Sequence, residues 1–293
     1  MDFDLNRLKK RPAYPFETIA VGLAFSPRME IILAESKKIA DSCGSKLVLI
    51  HVGAKTKEKE KSLDTILFNT GIDEKKAKII WVEGDVVDTI LKLCKLNIVD
   101  LLILGALEKE NIIKFYLGSI ARTISRKAKC SVLLLTNSSL QKAKQRVVVN
   151  SGADHPKTLH SINTALYFAK HIGVKEVTLV QEVHSPVLAM AMAESSSAPE
   201  VTKIKKDFTE EESNRLHSMI AKCDVGDLKI NEKIIKGKPG YAIRQYAETK
   251  KADLLVINSP DTHLTFLDRI FTHDIEFILA DLPCNLLIVH SRV

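Results

Sequence analysis

A chain of 293 residues, 45% hydrophobic and 27% charged, has the composition of a soluble globular protein with room for two ordinary domains. No apolar run approaches the roughly 18–20 residues that a membrane span needs. The opening MDFDLNRLKKRPAYPF lacks the apolar core of a signal peptide, so the expected compartment is the cytoplasm. The net charge of +7 is uneven: residues 1–145 carry +8 and residues 146–293 carry −1. A basic first half favours phosphate-bearing partners or is simply a lysine-rich solvated surface. The lysines are scattered, without aromatic interleaving, which argues against nucleic acid. Cys43, Cys94, Cys130, Cys223 and Cys284 show no CxxC spacing, which argues against a disulfide framework or a metal set.

In chain order, residues 18–24 (TIAVGLA) suit a strand buried on both faces, and 28–42 follow as a helix with Ile31, Ile32, Ala34, Ile39 and Ala40 on its apolar side. Residues 46–52 form a second strand. The charged 55–76 contains one amphipathic stretch, Leu63 to Phe68, with the KEKEK run at 57–61 as a solvated helix start. Residues 78–82 are a strand, 86–96 a helix, 101–104 a strand, 118–128 a helix and 132–135 a fifth strand. Strands alternating with helices imply a parallel sheet with helices on both faces. Residues 137–145 (NSSLQKAKQ) are the linker. The second half reads as strand 146–149, helix 159–171 stopped by Gly173, strand 177–180, helix 208–222, strand 228–235, helix 240–250, strand 254–257 and strand 286–289. The Ala-, Met- and Ser-rich stretch Val187 to Pro199 is either a flap or a short helix.

The two halves repeat one another. Trp81 to Gly105 aligns without a gap on Ile234 to Asn258, matching Gly84 with Gly237, Ile90 with Ile243, and Asp100-Leu101-Leu102 with Asp253-Leu254-Leu255. Cys130 to Leu135 and Cys284 to Val289 form a further pair. A period of this length is too long for a solenoid and means two copies of one domain, 1–140 and 146–293.

The sharpest local feature is Gly105 at the end of an apolar strand, followed by Gly118-Ser119 at the start of the helix IARTISRKA. A strand-end glycine lets a ligand approach the backbone. A helix start offers unpaired N–H groups and the positive end of the dipole, which suit phosphate. Arg122, one turn in, extends toward the same place. The competing reading is that Gly118-Ser119 only caps a helix.

This combination resembles tandem universal stress protein domains: two half-length copies, a GD after the third strand, Asp-Leu-Leu before the fourth, and two glycines bracketing the loop before the last helix. The resemblance covers roughly 16–136 and 146–290. It implies two five-stranded, doubly wound parallel sheets of order 3-2-1-4-5, and ATP or AMP as ligand. It assigns the nucleotide to Val52, Gly105, Gly118 and Ser119 in the first copy. Glu108 stands where the family has its second glycine and Ala24 where it has an Asp, so binding is expected to be weak. In the second copy Asn258 replaces the first glycine, Thr272 or His273 falls near the Gly-Ser position, and Gly152 takes the Asp position with Asp154 two residues on. Asp274 and Glu276 are expected on the first turn of the following helix, opposing phosphate. No GxSxG, P-loop lysine or Cys–His set is present, and the histidines lack ligand spacing, so the chain reads as a binding or regulatory module rather than an enzyme. His160 and His171 fit a helix surface. The alternative to nucleotide binding is a protein-interaction scaffold acting through dimerisation. The apolar fifth strands, both edges in the implied order, are expected to pair antiparallel as an internal pseudo-dimer.

Overall fold

In a computed structural model, residues 14–108, 115–136, 140, 145–151, 156–183, 197–259 and 269–290 are described. The first half runs β1 (Thr18–Gly22), α1 (Met29–Cys43), β2 (Lys46–Val52), α2 (Lys57–Thr70), β3 (Ala77–Val82), α3 (Val86–Leu96) and β4 (Leu101–Gly105). A short hairpin, β5 (Leu107–Glu108) and β6 (Phe115–Tyr116), then leads to α4 (Ser119–Lys127) and β7 (Ser131–Leu135). The second half runs β8 (Val147–Asn150), α5 (Pro156–His171), β9 (Glu176–Val183), α6 (Ala198–Ile220), β10 (Lys229–Lys236), α7 (Tyr241–Thr249), β11 (Leu254–Asn258), α8 (Arg269–Ala280) and β12 (Asn285–Val289).

Among the described residues the main sheet has ten strands in the order β10-β9-β8-β11-β12-β7-β4-β1-β2-β3. Each half is a parallel sheet of order 3-2-1-4-5, the doubly wound arrangement expected from the sequence. The halves meet at their fifth strands, antiparallel, with Leu286 opposite Leu134, Leu287 opposite Leu133 and Ile288 opposite Val132. All six side chains are fully buried. Pairing the two apolar edges removes the exposure that either would carry alone.

Helices cover both faces. On one, α1 packs against α5 across the junction, and a single apolar cluster runs from Phe16 and Ile19 through Leu133 to Phe168 and Leu287. On the other, Ile90 and Ile124 belong to a second cluster that reaches Ile243 and Leu279. Tyr167 of α5 fastens the first face: its hydroxyl accepts the Phe16 N–H at 3.2 Å and its ring stacks on Tyr14 at 5.4 Å. Burial, together with a thiol–phenol contact, pushes Tyr167 up to about 12; burial also pushes the Cys43 thiol up to about 11.

The repeated Asp is a strand clamp. Asp100 Oδ2 accepts the Thr18 N–H at 2.9 Å while its own N–H donates to Thr18 O at 2.9 Å. Asp253 does the same with Arg146, at 3.0 and 2.9 Å. Each locks the fourth strand of its half to the first. The repeated glycines Gly84 and Gly237 have φ of 145° and 152°, and a Cβ on either would approach a neighbouring side chain within 2.9 Å, so both are required by the fold.

Several features differ from expectation, among them the β5–β6 hairpin, which no expected strand covered. The helix expected at 208–222 begins at Ala198, because Ser197 caps it, accepting the Glu200 N–H at 3.4 Å, and Pro199 sits in the first turn where a missing N–H costs nothing. The linker is not wholly polar: Leu140 is buried, and its N–H donates to Glu35 at 2.5 Å. The rest of Val187 to Pro199, residues 187–196, together with Gly152 and Asp154, lies outside the described residues. His160 and His171 do lie on α5, His160 exposed and His171 bonded through Nδ1 to Tyr167 O at 2.8 Å.

Candidate functional site

The strand order reverses beside β1, which has β2 on one flank and β4 on the other. The carboxyl ends of these strands, with the start of α4, frame the crevice where open α/β sheets take ligands. Gly105 ends β4 opposite Leu135 of β7; Gly118 caps α4 with φ −65° and ψ 163°, and Ser119 opens it. Val52 ends β2 opposite Val82, on the other side of β1. The structure thus brings Gly105, Gly118 and Ser119 to one side of the crevice and Val52 to the other.

Neither motif glycine is demanded by the backbone. Gly105 and Gly118 both lie outside the positive-φ set. A Cβ on Gly105 would make only ordinary contact with Ile32, at 3.5 Å. One on Gly118 would meet only Leu107, within 2.9 Å of the tip of that exposed side chain. The first turn of α4 carries no carboxylate, and its leading N–H groups have no intrahelical acceptor.

Arg28 is the functional candidate that sequence reasoning missed. It stands at the N-cap of α1 and reaches over the ends of β4 and β7, Nη1 donating to Ala106 O and Nη2 to Leu135 O at 3.4 Å. Its guanidinium lies 5.0 Å from the centroid of the Phe115 ring. The available signal was that it is the only cation between β1 and α1, in LAFSPR. Beside Val52, Phe25, His51 and Trp81 form an aromatic cluster with centroids 4.8–5.6 Å apart. His51 Nδ1 lies 3.0 Å from Leu23 O and its Nε2 3.3 Å from Lys59 Nζ. A carbonyl can only accept and an ammonium can only donate, so the proton is assigned to Nδ1. Ala24, at the position of the family's Asp, is exposed. The side chain of Glu108 lies outside the described residues; its backbone pairs with Phe115 in the small hairpin.

That hairpin docks on the second half. Leu282 N–H donates to Phe115 O at 2.9 Å and Leu117 N–H to Leu279 O at 3.2 Å. Arg122 does not face the crevice: Nη1 binds Glu276 Oε2 of α8 at 3.2 Å, and Arg126 binds the other oxygen of the same carboxylate. This corrects two expectations. Arg122 is committed to the junction between halves, and Glu276 pairs there instead of opposing a phosphate, because α8 starts at Arg269 and places Glu276 beyond its first turn. Thr272, His273 and Asp274 lie inside that helix, so Thr272 does not cap it; their side chains, like all of His155 and His263, fall outside the described residues.

The second half is built differently at the carboxyl ends of its strands. Glu182, near the end of β9, accepts the Ile243 N–H at 2.8 Å and the Gly240 N–H at 3.1 Å, so a carboxylate already sits on the start of α7. Asn258, at the first glycine position, has its Nδ2 3.4 Å from Thr158. Among the described residues no group of three His, Cys, Asp or Glu side chains is placed to hold a metal, and no helix is long and apolar enough to cross a membrane.

Residues 53–136 match the model of the universal stress protein family. No curated protein matches the chain significantly. Among solved structures, a functionally unknown protein from Pseudomonas aeruginosa PAO1 is similar over 98% of this chain and 95% of its own, at 15% identity and a TM-score of 0.64. A universal stress protein from Archaeoglobus fulgidus is similar over 96% of this chain and 98% of its own, at 16% identity and a TM-score of 0.59. Residues 53–136 are thus similar to the universal stress protein family, the whole chain shares the fold of these solved structures, and its second half repeats the fold of its first.

Proposed function

We propose that the protein is a tandem universal-stress-type regulatory module in which the first domain, 1–140, binds ATP or AMP weakly and the second, 146–293, does not. It acts by binding, with no catalytic step of its own. The observation that carries this reading is the contrast between two kinds of glycine. Gly84 and Gly237 are held by backbone geometry, whereas Gly105 and Gly118 have ordinary φ values and nothing but Ile32 or the tip of Leu107 against them. Glycines the fold does not need, at a strand end and at the start of a helix free of first-turn carboxylates, suit close approach of a phosphate. The bare Ala24 position and the missing second glycine make the binding weak.

The second reading, a scaffold without nucleotide, is favoured by Arg28, which already spans Ala106 O and Leu135 O across the crevice. Mass spectrometry of small molecules released on denaturing the purified full chain, with calorimetric titration of ATP and AMP, separates the two. Release of adenine nucleotide, or saturable binding, supports the first reading. Neither one, up to millimolar nucleotide, leaves the scaffold.

A further inference from the structure

The opposite rim of the second half, where β8 and β9 begin, holds a cavity of about 810 Å³. Three segments wall it: the entry to β8, the turn from α5 into β9, and the exit of α7. Four cations line it, Arg146, Lys175, Lys250 and Lys251. Glu176 is the one carboxylate among the lining residues. It is already engaged by Asn231 and, at 3.4 Å, by Lys229 Nζ, and these partners hold its pKa below the ordinary carboxylate value. The half carries a net charge of −1, yet four cations and one carboxylate line this cavity.

The repeat supplies an internal comparison. Through the shared Asp clamp, Thr18 stands where Arg146 stands. Ile98 and Lys251 are matching left-handed residues, both at φ 51°, which places Asn97 where Lys250 is. Three of the four cations therefore replace uncharged side chains, so the strand–helix junction itself does not require them. Lysines leaving a helix also complement its dipole, but that effect would act equally on the first half, where Asn97 and Ile98 stand. Arg146 is held in place by its N–H on Asp253 and by Nη1 on Lys250 O at 3.0 Å. Gln145, also in the wall, has both amide atoms shielded from solvent and without a hydrogen-bond partner, a condition folded chains rarely leave unrelieved.

We propose that this cavity is a binding site for a small molecule carrying several phosphate groups, separate from the crevice of the first half. The volume falls within the ~300–1,000 Å³ of ligand sites. The Arg146 guanidinium and three lysine ammonium groups, drawn from three segments, match a chain of phosphates. The site does not depend on the nucleotide reading of the first domain.

The test uses the full chain and inorganic tripolyphosphate, titrated by calorimetry at low salt. The expected result is saturable binding that persists in Gly118→Val and weakens at least ~tenfold in Lys175→Glu/Lys250→Glu, where two attractions become repulsions. Both lysines are exposed, so that variant keeps its fold, as a wild-type melting curve would verify. In the Gly118→Val background, competition by ATP identifies nucleotide polyphosphates as ligands, and its absence identifies an inorganic chain; either result supports the site. No saturable tripolyphosphate binding to the intact chain, or an affinity unchanged by the double substitution, overturns it.

Discussion

Gly118→Val separates the capping role of Gly118 from a ligand-binding role. The backbone there, φ −65° and ψ 163°, is open to any residue. The added Cβ would approach Leu107 Cδ1 to within 2.9 Å, and that exposed side chain can rotate away. Valine is a poorer N-cap than glycine, so the expected stability loss is about 1 kcal/mol. The branched side chain would stand over the leading N–H groups of α4. Loss of one charge-assisted hydrogen bond to phosphate costs roughly 1.5–3 kcal/mol, a fall in affinity of roughly 10- to 150-fold. The assay pairs calorimetric titration of ATP and AMP with urea unfolding of the same variant. Unchanged affinity in a folded variant would refute the site. A stability loss of several kcal/mol would instead show that the fold needs this glycine.

Three further outcomes follow from the junction. Asn285 is fully buried; its Oδ1 accepts the Thr136 N–H at 2.8 Å and its Nδ2 donates to Asp253 O at 2.9 Å, so Asn285→Ala removes one buried and one part-buried hydrogen bond and should cost about 1–3 kcal/mol in urea unfolding. A loss below about 0.5 kcal/mol would contradict that accounting. Glu276→Arg should destabilise by about 1 kcal/mol, because its partners are partly exposed, and the added Arg122→Glu should restore most of it; no restoration would mean that the pair is not coupled. Cys43 and Tyr167 are raised to about 11 and about 12, so between their unfolded and folded pKa values the folded chain holds more protons than the unfolded one. Their stabilisation is complete below about pH 9 and is lost as pH rises through about 11–12. The melting temperature should therefore be level to about pH 8.5 and then fall, with a shallower fall in Tyr167→Phe. An identical alkaline decline in that variant would assign it to other groups.

Most strands were legible because they are buried on both faces and read as unbroken apolar runs, as in KLVLIHV at 46–52. The repeat was legible because its identities mark architecture: Asp100 and Asp253 clamp strands, and Gly84 and Gly237 hold left-handed turns. What was hidden depends on contacts between distant residues. Nothing in the sequence around Phe115 indicates that its carbonyl meets Leu282, and Arg28 looks like any helix-start cation until β4 and β7 lie beneath it. The start of α6 was missed for a local reason. Pro199 reads as a breaker, yet after a capping Ser197 it begins a helix. Gly105 and Gly118 were visible as a motif, but only the space around each shows that the fold could do without them.

Arg122 and Glu276 are 154 residues apart, the same spacing that separates Cys130 from Cys284 and Thr136 from His290, so each occupies the other's position in the repeat. In a dimer of identical domains, a residue close to the twofold axis faces its own copy, and arginine there would meet arginine. With both domains in one chain the two positions need not carry the same residue, and here they carry opposite charge. Each half has thereby become the other's mate. A first half paired with a second first half would set Arg122 and Arg126 against the same two cations, with no Glu276 between them. The chain is thus steered to close on itself, with effective concentration and charge acting in the same direction.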